Sequence, residues 1–158
     1  MFCSSLLKGF STMTFVLAQW LVTIFAAISL MHVYWAMGGQ WAAVAVIPQV
    51  PADNGGLTLR PAFKPSGWIT LVVAAALLLI AALVCMRVGW WFLPVHHWAL
   101  QWVISAIALL MFARAIGDSE LVGFFKEVKG SRFARLDTWV YSPLCLILGA
   151  GLLAVAWI

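Results

Sequence analysis

Residues 67–87 read GWITLVVAAALLLIAALVCMR, and no side chain between the glycine and the closing arginine is charged. A hydrocarbon layer about 30 Å thick is crossed by about twenty helical residues. This stretch has that length and that composition. Its ends agree with the reading. Ser66, after Pro65, offers an oxygen to the first free N–H groups of a helix, and Arg87 closes it in the headgroup layer. Inside it, Ala74, Ala75, Ala81 and Ala82 leave room for a neighbouring helix to approach.

Working outward, the same pattern recurs at about 14–36, 98–116 and 138–158. The third span begins beside His97-Trp98 and ends at Arg114-Ala115-Ile116-Gly117, where Gly117 is a natural left-handed stop. For the fourth, Asp137-Thr138 supplies an N-cap, and Pro143 falls near enough to the start to be tolerated. Gly149, Ala150 and Ala154 give this span its own close-approach surface. Composition supports the pattern. Of 158 residues, 65% are hydrophobic and 9% charged, whereas a soluble domain carries roughly 25% charged residues. Ten tryptophans suit a headgroup belt. The expected fold is all-α, one integral membrane domain over residues 1–158 built as a four-helix transmembrane bundle.

Two connections are longer than turns. Residues 37–66 start with Gly38-Gly39, pass through WAAVAVIP at 41–48 and finish in a Pro/Gly/Asn-rich tail. The apolar piece is too short to span, so it is expected to lie in the interface or dip partly back. In residues 117–137, Leu121, Phe124, Phe125 and Val128 fall on one helical face, with Glu120, Lys126, Glu127 and Lys129 mostly elsewhere. That spacing predicts a short amphipathic interfacial helix between the third and fourth spans, capped by Asp118 or Ser119 and stopped by Gly130.

Charge sets the orientation. The side of the two long loops carries Arg60, Lys64, Arg114, Lys126, Lys129, Arg132 and Arg135, and the other side only Lys8 and Arg87. Both long loops are therefore expected in the cytoplasm and both termini outside, although Lys8 before the first span pulls the other way. The N-terminal apolar run lacks a small-residue cleavage site and is read as a retained span. Cys3, Cys85 and Cys145 show no paired or metal-type spacing. No basic stripe interleaved with aromatics points to nucleic acid.

The residues that carry chemistry gather at the long-loop face. HVYWAMGG, residues 32–39, ends the first span with a histidine in an otherwise apolar run. Ionisable groups within a membrane are costly enough to be functional candidates by default. Near a helix end the cost is smaller, and His32 has a plainer reading as a packing residue bonded to Ser29 or to a neighbouring helix. Tyr34 and Trp35 read first as interface anchors. Arg114 and Asp118 stand four apart, in the order less favourable against the helix dipole. Local helix stability therefore explains the pair poorly, and the guanidinium fork suits headgroup phosphates or an anionic ligand. Asp137 reads first as an N-cap, with Tyr141 four residues further on. His32, Tyr34, Trp35, Arg114, Asp118, Asp137 and Tyr141 form the candidate set for a cytoplasm-facing pocket between spans one, three and four. His96 and His97 belong to the opposite face. Gln19, Thr23, Ser29, Gln101 and Ser105 are the other polar groups within spans one and three.

HVYWAMGG, GDSELVGFFK at 117–126 and FARLDTWVYSPLC at 133–145 together resemble a bacterial family of small four-helix membrane proteins, domain of unknown function 3995. The resemblance covers nearly the whole chain. It implies a multi-pass protein of the bacterial inner (plasma) membrane and brings no activity, cofactor or catalytic residue with it.

Several templates are missing: HExxH, a paired Cys/His metal set, a P-loop, GxSxG and a second histidine for a bis-histidine haem. Three functions stay open. One is binding a lipid-like or other small amphiphilic ligand, or a partner membrane protein or second copy of the chain. Another is a small membrane enzyme with His32 as general acid/base and Arg114 positioning an anionic group. The last is a transporter or channel subunit, for which the polar residues make only a thin track.

Overall fold

The computed structural model describes residues 2–52, 59–91, 97–117 and 121–157. The elements in chain order are α1 (Phe2–Ala36), α2 (Ala43–Val46), β1 (Gln49–Pro51), β2 (Leu59–Pro61), α3 (Gly67–Arg87), α4 (His97–Ile116), α5 (Arg132–Leu136), a π-helical turn (Asp137–Tyr141) and α6 (Ser142–Trp157). Four helical stretches are long and apolar enough to cross a membrane: Thr12–Ala36, Gly67–Arg87, His97–Ile116 and Arg132–Trp157. This is the all-α architecture of a multi-pass membrane protein. The only sheet among the described residues is the two-stranded antiparallel β1–β2 pair, with Val50 opposite Arg60.

The bundle is two antiparallel pairs, α1 against α3 and α4 against α6, closed by contacts of α1 with α6 and of α3 with α4. Its core holds Leu21 and Phe25 of α1, Val84 of α3, Ile104 of α4, and Leu148, Leu152 and Val155 of α6. Large apolar side chains such as Trp20, Leu30, Leu79, Leu110 and Ile147 instead face outward. A lipid solvent inverts the soluble pattern in this way, because outward apolar surface costs nothing there and close packing favours small residues inside. Ala74 and Ala81 are buried, whereas Ala75 and Ala150 face out. At Gly149 a Cβ atom would lie 2.8 Å from the Phe112 ring and 3.1 Å from the Ala108 carbonyl oxygen. The glycine is what lets α6 sit this close to α4.

Side chains satisfy two of the helix ends. Ser66 caps α3, its Oγ accepting from the Ile69 N–H at 3.3 Å. At the far end, Arg87 donates from Nη2 at 2.9 Å and from Nε at 3.3 Å to the Ala156 carbonyl. A cation thus meets the free carbonyl end of α6, where the helix dipole favours it.

Two expectations are corrected. The fourth span begins at Arg132, not after Asp137, with Ser131 as its cap: Ser131 Oγ accepts from the Ala134 N–H at 2.9 Å. Asp137 is therefore inside the helix and fully buried. Pro143 consequently lies well inside the span. A proline ring collides with the carbonyl four residues back and lacks an N–H. The π turn just before it widens the coil there, with the Ser142 N–H bonding the Asp137 carbonyl five residues back.

The second is the interfacial helix: the described residues 121–130 form turns and bends and no helix. Gly117 and Gly123 both take left-handed backbone (φ 78° and 89°), and a Cβ on either would strike the other's backbone. The N–H groups of Phe124 and Phe125 then bond the carbonyls of Ala115 and Ile116 at 3.0 and 3.3 Å, folding the chain back onto α4. Asp118, Ser119 and Glu120, the expected cap region, lie outside the described residues. The apolar piece of the first long loop contains one helical turn, α2, and is followed by a strand pair the apolar pattern did not signal.

Candidate functional site

A cavity of about 600 Å³ opens at the long-loop end of the α1–α3 pair. His32 and Trp35 of α1 and Ile69, Thr70 and Val73 of α3 form two walls; Ala43, Val46 and Ile47 form a third. Gln40, Phe63 and Lys64 stand at the mouth, all exposed. That size falls within the roughly 300–1,000 Å³ usual for small-molecule pockets, and the mainly apolar lining with few polar groups is also usual.

The chain builds the cavity from a helix stop. Gly38 takes φ 93°, and the N–H groups of Gly38 and Gly39 bond the carbonyls of Trp35 and Tyr34, both at 3.0 Å. The chain thus turns at the end of α1, and residues of α2 come to line the same cavity as residues of α3. Tyr34 helps to hold this turn. Its ring packs on Gly39, where a Cβ would collide with it, and its Oη accepts from the Trp41 N–H at 3.4 Å. Trp35 Nε1 donates to the Trp41 carbonyl at 2.9 Å, and its ring meets His32 edge-on at 5.2 Å. His32 Nδ1 lies 2.8 Å from the Ile28 carbonyl oxygen, and Thr70 Oγ1 donates to the Ser66 carbonyl at 3.0 Å. Ser29 does not reach His32: its hydroxyl donates across to the Ala74 carbonyl at 2.8 Å, pinning α1 to α3.

A second polar constellation joins α4, the 121–130 turns and the fourth span. The fully buried carboxylate of Asp137 accepts from Arg114 Nη2 at 2.7 Å, from the Gly123 N–H at 2.7 Å and from Lys126 Nζ at 3.1 Å. Lys126, also buried, spends its other two donors on the Gly123 carbonyl at 2.9 Å and on Thr138 Oγ1 at 2.6 Å. A buried ion pair is tolerated when the lone pairs and protons of both ions are met; here Lys126 is fully satisfied. The amphipathic reading of this segment put Lys126 on a watery face. The signal available in the sequence was a lone acidic residue in the first turns of the fourth span.

The candidate set is therefore divided. His32 and Trp35 line the cavity, with Tyr34 beside them on the turn. Arg114 pairs with Asp137 and is not among the lining residues. Asp118, its sequence neighbour, lies outside the described residues. Tyr141 links the two places: its Oη donates to the Ala45 carbonyl of α2 at 3.2 Å, tying the cavity's third wall to the fourth span. His97 is exposed at the opposite end of the bundle, and His96 is outside the described residues.

Thr23, Ser105 and Trp157 make bonds away from both places. Thr23 and Ser105 donate to the carbonyls of Gln19 and Gln101, each at 2.8 Å, and Trp157 Nε1 donates to Ser105 Oγ at 3.2 Å. Among the described residues, no group of three histidine, cysteine, aspartate or glutamate side chains is placed to hold a metal ion. Residues that reasoning on the sequence did not single out are Lys64, Gln40 and Thr70, which lie on loops or helix ends that only the folded chain brings to His32.

A family model described as "Protein of unknown function (DUF3995)" matches residues 25–152. No curated protein and no solved structure matches the chain.

Proposed function

The chain belongs to the DUF3995 family, and from that premise we propose that it is a bacterial inner-membrane binding protein whose cavity takes a small amphiphilic molecule. The observation that carries this reading is the cavity itself, an apolar chamber at a helix end with His32, Gln40 and Lys64 at or near its mouth. An amphiphile places its chain on Ile69 and Val73 and its polar end on those three residues, so both parts of the ligand and both parts of the site are matched. The enzyme reading needs Arg114 beside His32, and Arg114 is engaged with Asp137 instead. The transport reading needs a polar track, and the hydroxyls of Thr23 and Ser105 are spent on their own helices and that of Ser29 on the Ala74 carbonyl.

Mass spectrometry of the protein released from mild detergent tests this. Wild type should retain one small molecule of defined mass, and Val73→Trp, which fills the chamber, should lose it while remaining folded. Retention of bulk lipid alone, equal in both proteins, would remove the proposal.

In this reading the cavity faces the cytoplasm, since the long loops hold most of the cations. A cysteine at position 63, with Cys3, Cys85 and Cys145 replaced by serine, should react with a membrane-impermeant maleimide in inverted vesicles and not in intact spheroplasts. The reverse labelling would invert the orientation.

A further inference from the structure

His32 fixes its own tautomer. A carbonyl oxygen only accepts, so Nδ1, 2.8 Å from the Ile28 oxygen, carries the proton of the neutral ring. The other nitrogen, Nε2, is then a lone-pair acceptor. No donor among the described residues reaches it. The remaining polar atoms of the cavity are differently disposed. Trp35 Nε1 and Thr70 Oγ1 are already donating, to Trp41 and Ser66. Lys64 offers only donors, and it stands at the exposed mouth, whereas His32 is half-buried. His32 is among the lining residues, and its unspent nitrogen is thus an acceptor awaiting a donor.

We infer that the ligand of this cavity carries a hydroxyl group, alcoholic or phenolic, that donates to Nε2 of His32 while its apolar body lies along Ile69 and Val73. The inference rests on the binding reading above and narrows it to a ligand class. A head made only of acceptors, such as an ester, an ether or a ketone, would set its oxygen lone pairs against that of Nε2 and leave both unpaired in a poorly hydrated place. A hydroxyl pairs with it and still has lone pairs to accept from Lys64 or Gln40.

The test uses two probes of nearly the same shape, 4-octylphenol and its methyl ether 4-octylanisole, titrated calorimetrically into wild type and His32→Phe in the same detergent. Comparing the phenol-to-ether preference of the two proteins cancels the partition of each probe into micelles. Wild type should prefer the phenol about tenfold more strongly than the variant does, the loss expected for one buried hydrogen bond. His32→Leu supplies the comparison if the phenylalanine ring blocks the chamber or unfolds the protein. Equal preference in wild type and variant would overturn the hydroxyl inference and leave the cavity reading standing. No binding of either probe to wild type would overturn both.

Discussion

Asp137→Ala is expected to cost about 3–5 kcal/mol of stability, the loss typical when one partner of a buried ion pair is removed. The side chain is fully buried, and it accepts from Arg114, Lys126 and the Gly123 N–H. Its removal strands Lys126, itself buried, with a full charge and one fewer partner. Domains hold only about 5–15 kcal/mol in total, so the variant should unfold far below wild type in a thermal melt in detergent. Lys126→Met should cost much less, because Asp137 keeps Arg114 and the Gly123 N–H. Adding Lys126→Met to Asp137→Ala should recover part of the loss, since the stranded cation is then gone. A coupling of this sign is what a double-mutant cycle measures for residues in one network. Equal melting of Asp137→Ala and wild type would mean that the cluster holds nothing together.

Gly123→Ala should be nearly as damaging, for a different reason. Its φ of 89° alone costs an L-residue roughly 1–2 kcal/mol. The new Cβ would also strike the backbone of Gly117, which cannot swing aside as a side chain can. Moving Gly123 displaces the N–H that serves Asp137 and the carbonyl that serves Lys126, so the strain reaches the ion cluster. Gly130→Ala is the matched control. Its φ is 98°, yet nothing lies within 4 Å of the added Cβ. It should show the backbone cost alone, of roughly 1–2 kcal/mol. The same melting series checks both variants. Equal shifts for positions 123 and 130 would show that the contact with Gly117 carries no weight.

These two sites also mark where reasoning from the sequence stopped. The second span was legible to the residue: Ser66 caps it and Arg87 ends it because both signals are local, a hydroxyl before an apolar run and a charge after it. The fourth span was misread at its start because two local signals, an Asp-Thr pair and a proline, together imitate an N-terminus. The competing fact is tertiary. Arg114 and Lys126 converge on Asp137 from segments 23 and 11 residues away. That convergence makes burial of the carboxylate tolerable and lets the helix start earlier. The 121–130 segment failed similarly. Its helical periodicity is real, but two glycines six residues apart in left-handed backbone override it.

The candidate site was half legible. His32 and Trp35 stood out as a polar edge at the end of an apolar run, and both line the cavity. Grouping them with Arg114 and Asp137 rested on a shared membrane face, which places residues at one depth without bringing them together. The cavity's third wall was not readable at all. α2 is held by the hydroxyl of Tyr141, 96 residues further along the chain.

That bond also defines the most direct test of the account. Wild type, His32→Ala and Tyr141→Phe would be purified side by side in mild detergent and weighed intact by native mass spectrometry. The cavity account predicts a defined small-molecule adduct on wild type, kept by Tyr141→Phe at reduced occupancy and lost from folded His32→Ala. An adduct that survives His32→Ala and vanishes with Tyr141→Phe would place the ligand at the fourth span and contradict it.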